Sequence, residues 1–533
     1  MKLLPLLLLL LIVFHPAFSQ EQEPESDTET ILISEEEIAA IAGDENSVYY
    51  INTYKYNVTG ITLPFMLNTK TELKTGEEIK GKTNLIKFIK EKKQLLINER
   101  VLKDNVEIKY TVEDADEDGR YPVNLQIYTE DTWNIIALPY PKLDSNYGFS
   151  ITIKARDYNF LGTMNPLRID LGYRLDQDKR SFFELMVDSG IPFEAFGLNW
   201  YFDFDNYFDY RPNLIHSYHH FYYKNRTAIS VDIPIQRTTL NLWFAESFIV
   251  NEANAESDVP ALGEVQEGLY MQSYPNITWT IPTGLEIGDL GELYYVPSIY
   301  AQFNHEFPMW PLSYNRIGPF YNFSHYINFG RIDWKNNLRD GISIYASNSY
   351  SFNVHYFYKD DAENFNPWGY SYSVRAIRHF IFIEDWLGLS ARLYHRHWIK
   401  TYNEYAGDVL RGVYDRDVSA EMIFSVNLDL QFKAIRFLPS KWFPNSKFMR
   451  VFDFDMFINP VIDAAWYKPY QQEASLDRDF VVFGAGLEFI VYPHRFRSLY
   501  FRVSAAWDFS RVPDEVPGLI SDLELFMGME LHY

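Results

Sequence analysis

The stretch that decides the fold is YGFSITIKARDYNFLGTMNPLRIDLGYR, Tyr147–Arg174. It predicts two strands joined by a turn that contains Asn and Gly. In both strands apolar residues alternate with polar or charged ones, and the apolar set is Ile151, Ile153, Ala155, Leu167, Ile169, Leu171 and Tyr173. A period of two places that set on one face. Such a face meets a second sheet in a soluble sandwich, and lipid in a transmembrane barrel whose charged face lines a wet lumen.

The N-terminus predicts export. Met1–Ser19 has the features of a secretory signal peptide: a positive Lys2, the apolar run Leu3–Phe14 and small residues before the expected cleavage point. The alternative is a retained anchor, but the run is short for a bilayer span of about 20 residues. Residues 20–47 are rich in Glu and Asp and are predicted to form a disordered leader.

Composition narrows the function. The chain of 533 residues has a net charge of −24 and no cysteine, which excludes disulfides, cysteine nucleophiles and thiolate metal sites. The acidic balance shows no basic stripe, so nucleic acid is not an expected partner. Aromatic residues make up 17% of the chain and concentrate after about residue 130. Aromatic girdles are typical of outer-membrane barrels, although a tyrosine-rich soluble β-protein has the same composition.

A different, lysine-rich region occupies residues 48–133. Its patterns predict the order β-α-α-β-β, with strands at Tyr49–Val58, Val106–Val112 and Tyr121–Thr129 and helices at Pro64–Leu73 and Asn84–Leu96. This order resembles a POTRA domain, and residues 134–146 are interpreted as the linker that follows it.

The turn of the opening hairpin strengthens the resemblance. Asp157, Asn159 and Gly162 stand as in the first-hairpin motif of the BamA/TamA-like outer-membrane assembly family. The resemblance implies a mainly β protein: a transmembrane antiparallel β-barrel of about 16 strands over residues 147–533, preceded by one small α/β, POTRA-like domain. The final predicted strand, Leu523–Tyr533, alternates throughout. Its Leu531 and terminal Tyr533 resemble the C-terminal signal of such barrels.

Two further stretches resemble the family pattern. Leu410, Arg411, Gly412 and Tyr414 resemble the tip of a long outer loop that folds back into the barrel, with Val413 where an aromatic residue is usual. Pro460–Ala465 resembles a strand motif with Ala465 in place of Gly, and it contains Asp463. A guanidinium inside a lumen needs a carboxylate, so we expect Asp463 to pair with Arg411. The alternative is a surface Arg-Gly turn and an ordinary lumen-facing Asp.

Other chemistry-bearing residues predict no site. No carboxylate motif frames the histidine groups to make a metal site, namely His216, His219 and His220, then His395 and His397. The pairs Asp203 with Asp205 and Asp453 with Asp455 alternate as barrel strands do, although paired acids also serve acid–base catalysis. No G-x-S-x-G elbow is present. We therefore expect no enzyme, metal or cofactor.

The resemblance implies a non-enzymatic role at the cell outer membrane, with the N-terminal domain in the periplasm. The expected activity is insertion, assembly or translocation of other proteins. Expected partners are outer-membrane lipid, unfolded client proteins and periplasmic proteins that add a strand to the small domain's edge. Tyr147–Arg156 and Leu523–Tyr533 are expected to form the barrel seam. The alternatives are a porin-like solute channel and a surface adhesin.

Overall fold

A computed structural model describes residues 41–144, 148–175, 181–212, 219–253, 268–286, 291–306, 319–354, 367–399, 402–403, 405–446, 448–469, 480–510 and 523–528. The signal peptide, residues 20–40 of the leader, and the C-terminal Leu531 and Tyr533 lie outside the described residues, so the predictions for them stay predictions. Among the helices that the structure describes, none has the length and apolar character needed to cross a membrane.

The N-terminal region forms a small α/β domain, as predicted. Its elements are β1 Val48–Thr59, α1 Pro64–Thr71, β2 Glu78–Lys80, α2 Lys82–Asn98, β3 Glu107–Val112 and β4 Arg120–Glu130. The sheet order is β2-β1-β4-β3, with β1 parallel to β4 and the other neighbours antiparallel. The predicted order β-α-α-β-β is present with one addition. That addition is β2, whose three residues are too few to show an alternating pattern.

Both helices pack their apolar sides on this sheet. In α2 the buried residues are Leu85, Ile86, Ile89 and Leu96, which recur at helical spacing, whereas Lys87 and Lys93 on the other side are exposed. They join buried strand residues such as Ile51, Val123 and Ile127 in one cluster. The small domain therefore has a hydrophobic core of its own.

The rest of the chain closes into an antiparallel barrel. Its strands are β5 Ile135–Asp144, β6 Gly148–Asp157, β7 Leu167–Leu175, β8 Ser181–Ala195, β9 Leu198–Pro212, β10 His219–Ile235, β11 Thr238–Ala253, β12 Gly268–Glu286, β13 Glu292–Glu306, β14 Phe320–Phe329, β15 Ile332–Lys335, β16 Leu338–Asn353, β17 Trp368–Ile383, β18 Leu387–Ile399, β19 Met422–Phe437, β20 Phe454–Lys468, β21 Val481–Pro493, β22 Phe501–Asp508 and β23 Leu523–Gly528. Both β14 and β15 pair with β16, at different parts of its length, so together they count as one strand of the barrel. The 19 elements therefore form 18 barrel strands, 19 minus 1. The predicted fold class is confirmed, with two strands more than the sixteen expected.

The predicted linker at residues 134–146 is wrong, because Ile135–Asp144 forms β5. This strand pairs with β6 from Ile135↔Asp157 to Asp144↔Gly148. Its sequence conceals it, since Pro139 and Pro141 lack N–H groups and proline normally signals a break. At alternate positions, both prolines remove donors from one edge of the strand, while β5 still pairs with β6 along its whole length.

The opening hairpin, β6 and β7, settles which way its apolar face points. Ile151, Ile153 and Leu171 lie on the outer surface, with 44%, 53% and 54% of their area exposed. Arg156 is buried on the inner side and forms an ion pair with Asp170 of β7. A second sheet would bury the apolar face. Exposed apolar residues occur likewise on other strands, including Phe244, Ile299, Phe323 and Phe489, and lipid is the solvent that suits this surface.

Candidate functional site

The segment between β18 and β19, residues 402–421, folds into the barrel. Two short 3₁₀ turns, Ala406–Val409 and Asp415–Asp417, shape it. Its apolar side chains pack with wall residues in one cluster of Ala406, Leu410, Val413, Val418, Ala420, Ile423, Ala465 and Val482. Val413 of the loop and Ala465 of the wall both lie in this cluster.

The loop tip places Arg411 against three wall carboxylates. Its backbone N and Nε donate to Asp463 Oδ2 at 2.7 and 2.9 Å, and Nη2 donates to Asp463 Oδ1 at 2.6 Å. Nη2 also lies 2.6 Å from Asp429 Oδ1, and Nη1 lies 3.4 Å from Glu488 Oε1. Arg502 brings a second cation to Glu488 at 2.9 Å. Arg411 is 4% exposed and Asp463 is 0% exposed, so neither charge is tolerable without the other.

Val409, which precedes the tip, is held through its own backbone carbonyl group by two side chains of the wall. The carbonyl oxygen of Val409 accepts hydrogen bonds from Arg392 Nη2 at 2.9 Å and Asn427 Nδ2 at 2.8 Å. On the wall behind the tip stands Gly484 of β21. A Cβ at this glycine would lie 1.9 Å from the carbonyl oxygen of Arg411, so the loop fits only against a bare backbone.

Replacing Gly484 by alanine is therefore expected to push the loop off the wall. Overpacking of this kind costs about 1–3 kcal/mol in the free energy of unfolding. Thermal unfolding and limited proteolysis of the loop would measure it. The matched control is Gly172→Ala on β7, where the nearest atom to an added Cβ is Thr152 Oγ1 at 3.2 Å. Equal stability and equal protease resistance of the two variants would contradict the close approach.

The same loop also contacts the last described strand. The backbone N of Gly412 donates to Glu524 Oε2 at 2.5 Å, and Tyr414 Oη donates to the carbonyl oxygen of Leu523 at 3.3 Å. Both acceptors belong to β23. The loop tip therefore spans from β19 to β23 along the inner wall.

The barrel closes between β5 and β23, so the expected seam partner Tyr147–Arg156 is wrong. That stretch forms β6, the second strand of the barrel. The first strand is β5, which its two prolines kept from being predicted. Within residues 523–528 the pairing across the seam is Phe526↔Asp144, supported by a 3.1 Å hydrogen bond from Tyr140 Oη to the carbonyl oxygen of Met527. On its other side, β5 pairs with β6 over ten residue pairs.

The first-hairpin motif lies at the other end of the barrel and holds the small domain. Asn159 is fully buried, and its Nδ2 donates to Thr62 Oγ1 at 2.7 Å and to Asp131 Oδ2 at 3.1 Å. Its Oδ1 accepts from the backbone N of Met164 at 2.8 Å, and its own N donates to Asp157 Oδ1 at 3.1 Å. The motif was recognisable in the sequence, but its partners in the small domain were not.

Gly162 of the same motif brings the backbone of the hairpin turn against the backbone of the small domain. Its carbonyl oxygen accepts from the backbone N of Leu63 at 2.9 Å. Its φ of +74° is in the left-handed region, and an added Cβ would lie 2.0 Å from the carbonyl oxygen of Ile61. Only glycine satisfies both conditions.

A second attachment joins α2 to the turn between β14 and β16. Asn98 Nδ2 donates to Asp333 Oδ1 at 2.8 Å, and Asn98 Oδ1 accepts from the backbone N of Trp334 at 2.9 Å. Arg100 lies over the Trp334 ring at 4.4 Å and donates to Asn337 Oδ1 at 3.2 Å. Burial, followed by the nearby cation Arg497, lowers the pKa of Arg100 to about 10, so it stays charged at neutral pH. Arg497, in the turn between β21 and β22, donates to the carbonyl oxygen of Leu102 at 2.6 Å, so the small domain contacts the barrel rim at three turns.

Between these attachments lies a cavity of about 890 Å³ whose wall includes Asp131, Asp453 and Asp455. Asp455 joins neighbouring turns: Arg436 Nε donates to it at 2.8 Å, Asn337 Nδ2 donates at 3.2 Å, and His494 Nε2 lies 3.2 Å away. This carboxylate is occupied by structural partners.

The remaining acidic and histidine residues, for which the sequence predicts no site, have ordinary structural partners. Arg226 lies 3.6 Å from Asp203 and 3.7 Å from Asp205. His395 bonds to the carbonyl oxygen of Ile423, and His397 faces Glu421 at 3.4 Å. His216 lies outside the described residues. Within the described ranges, no group of three or more His, Asp or Glu residues is placed to hold a metal ion.

No protein-family model and no curated protein matches the chain. Solved structures do. CdiB from Acinetobacter baumannii is 12% identical, with 90% of this chain and 73% of that one covered at a TM-score of 0.44. CdiB from Escherichia coli is 9% identical, with 91% and 76% covered at 0.44. BamA from Haemophilus ducreyi lacking POTRA domains 1–3 is 9% identical, with 90% and 83% covered at 0.34.

Proposed function

We propose that this chain is an outer-membrane barrel that inserts or translocates other proteins, and that a client strand engages it at the seam between β5 and β23. The observation that carries the proposal is that the barrel closes between its first and last strands, β5 and β23, which pair at Asp144↔Phe526 and are far apart in the sequence. Neighbouring strands elsewhere in the barrel follow one another along the chain, whereas no turn ties β5 to β23. These two strands can therefore separate without unfolding a hairpin, and a client strand can pair with a freed edge through main-chain hydrogen bonds.

The lumen loop supports the same reading. Through Arg411 it is fixed to β19, β20 and β21, and through Gly412 and Tyr414 it holds Glu524 and Leu523 of β23. A pinned loop therefore keeps the last strand in place on the inner side. Its release would free β23 to exchange β5 for another strand.

The small domain supplies a surface for periplasmic partners. We propose that it is a POTRA domain on the periplasmic side. One edge strand of its sheet is β3. This strand pairs with β4 on one side, and no described strand pairs with its other edge. An extended client or partner segment could add there as a further strand, through main-chain hydrogen bonds.

A reversible lock on the seam tests the proposal. Asp144 and Phe526 are paired residues, so cysteines at both positions lie within disulfide range, and the chain has no other cysteine. In a strain depleted of the wild-type protein, the oxidised double variant is expected to leave client levels in the outer membrane as low as depletion does. Reduction is expected to restore them, and quantitative mass spectrometry of outer membranes measures both.

The matched control places a disulfide where the ladder is already complete. Ala137→Cys with Ala155→Cys joins a residue pair of β5 and β6, and normal client levels are expected in both redox states. Normal client levels with an oxidised seam would contradict the proposal. If that variant also showed selective solute conductance in planar bilayers, the porin-like alternative would replace it.

A further inference from the structure

The connection between β19 and β20, residues 438–453, differs in character from the rest of this acidic chain. From Ile435 to Phe452 the sequence IRFLPSKWFPNSKFMRVF has four basic residues, Arg436, Lys441, Lys447 and Arg450, and no acidic one. It contains the short helix α3, Pro439–Trp442, and a 3₁₀ turn, Met449–Phe452. We call residues 438–452 the basic-aromatic turn.

The basic-aromatic turn exposes large aromatic side chains. Trp442 and Phe448 are 66% and 65% exposed, and Phe443 and Phe452 are also exposed. Phe448 and Phe452 contact each other edge to face at 5.0 Å, so they form a patch rather than scattered single residues. Contiguous exposed aromatic surface is costly in water and marks an interaction site.

This patch continues the lipid-facing surface of the barrel. Arg436 pairs with Asp455 and points inward, so its neighbours Phe437 and Phe454 lie on the outer face. Their rings lie 5.2 Å apart, and Trp442 packs edge to face on Phe437 at 5.4 Å. The turn also borders the cavity beneath the small domain, through Arg450. It therefore lies where the outer surface of the barrel meets the small-domain side.

We propose that the basic-aromatic turn is a lipid-binding site that recognises anionic phospholipid headgroups in the membrane leaflet on the small-domain side. Trp442 combines an apolar ring with a polar indole N–H, a combination that favours the membrane interface. The exposed phenylalanines supply apolar surface for the acyl boundary. Exposed Lys441 and Arg450 supply charge that is complementary to anionic headgroups, in a protein whose net charge of −24 otherwise repels them. The inference uses the apolar outer face of the barrel and is independent of the seam.

A single label can locate the turn. The chain has no cysteine, so Phe443→Cys carries one environment-sensitive fluorophore, and Thr75→Cys in the exposed turn before β2 carries the control label. In nanodiscs containing the full chain, nitroxide-bearing lipids are expected to quench the label at position 443 and aqueous cobalt ions to spare it. The label at position 75 is expected to behave in the opposite way. Quenching of position 443 by cobalt alone would overturn the proposal and assign the surface to a protein partner.

Headgroup preference is measured with the same label, as the ratio of quenching by nitroxide phosphatidylglycerol to quenching by nitroxide phosphatidylcholine. Each cation near an anionic surface is worth a factor of about five, so Lys441→Ala with Arg450→Ala is expected to lower the relative association constant by about 25-fold. Lys55→Ala with Lys109→Ala, two exposed small-domain lysines, removes equal charge and is expected to change nothing. Equal constants for both lipids in the unmodified turn would overturn the anionic preference.

Discussion

Replacing Arg411 by alanine is expected to lower the free energy of unfolding of the barrel by about 3–5 kcal/mol. The reason is what the substitution leaves behind. Asp463, Asp429 and Glu488 are all buried on the inner wall. Without Arg411, Glu488 keeps its ion pair with Arg502, but Asp463 and Asp429 lose the guanidinium that lies 2.6 Å from each of them. Arg411→Lys is expected to recover only part of the loss, because an ammonium cannot make the bidentate contact with Asp463.

Two measurements separate this effect from a general loss of folding. Heat-modifiable gel mobility reports the temperature at which the barrel unfolds, and limited proteolysis reports whether the loop at residues 402–421 has left the lumen. Arg168→Ala is the matched control, since Arg168 is half exposed and lies 3.4 Å from Asp188, a contact worth about 0–1 kcal/mol. An Arg411→Ala barrel with unchanged unfolding temperature and a protected loop would contradict the pinning of the loop.

A charge-removing partner variant adds a second check. In Asp463→Asn the wall loses one of its three carboxylates while the shape of the side chain is kept. If Arg411 and Asp463 act as a unit, the double variant is expected to cost less than the two single losses added together. Additive costs would mean that Asp429 and Glu488 hold the loop without Asp463.

The pairing of Arg411 with Asp463 could be predicted because both residues stand in recognisable motifs. The contacts of Asp429 and Glu488 with Arg411 could not be predicted. Each is one polar residue in an alternating strand, and its position along the barrel axis depends on strand register. A single sequence does not show register, since the same alternation permits any shift by two. The same limit hid Gly484, whose role depends on a loop seventy residues earlier in the chain.

In the small domain, the secondary structure could be predicted from the sequence, but the attachment to the barrel could not. Its helix α2 and strands β1, β3 and β4 follow from hydrophobic periodicity, because each buries one face in a local core. Its attachment does not follow from periodicity. Asn98 and Arg100 bond to residues more than 230 positions away, and the polar pattern of α2 alone gives no sign of them. At β5 the two prolines predicted a break, yet the strand pairs with β6 along its whole length.

Replacing Gly162 by alanine is expected to detach the small domain while leaving the barrel folded. Two costs combine at this residue. Its positive φ penalises any side chain by about 1–2 kcal/mol, and the new Cβ would lie 2.0 Å from the carbonyl oxygen of Ile61, a backbone atom that cannot rotate away. The strain is relieved when the segment around Ile61 moves off the hairpin, which breaks the bond from Leu63 to Gly162 and exposes Asn159.

Gly197→Ala is the control that separates these two costs. Gly197 forms the turn between β8 and β9 with a φ of +72°, and no atom lies within 4 Å of an added Cβ. It therefore suffers the backbone penalty without the clash. Protease cleavage near residues 132–134, with unchanged heat-modifiable mobility of the barrel, is expected for Gly162→Ala and not for Gly197→Ala.

Asn159→Ala tests the same joint without any backbone strain. It removes the bonds to Thr62 and Asp131, and within the hairpin it removes the acceptor of the backbone N of Met164. Asp131 keeps its bonds from the backbone N of Ile61 at 2.8 Å and from Thr62. A loss of about 1–3 kcal/mol in domain attachment is expected, with cleavage intermediate between the two glycine variants. If all three variants were cleaved alike, the hairpin motif would serve the barrel alone. The small domain would then depend for its position on the contacts of Asn98 and Arg100 with the rim.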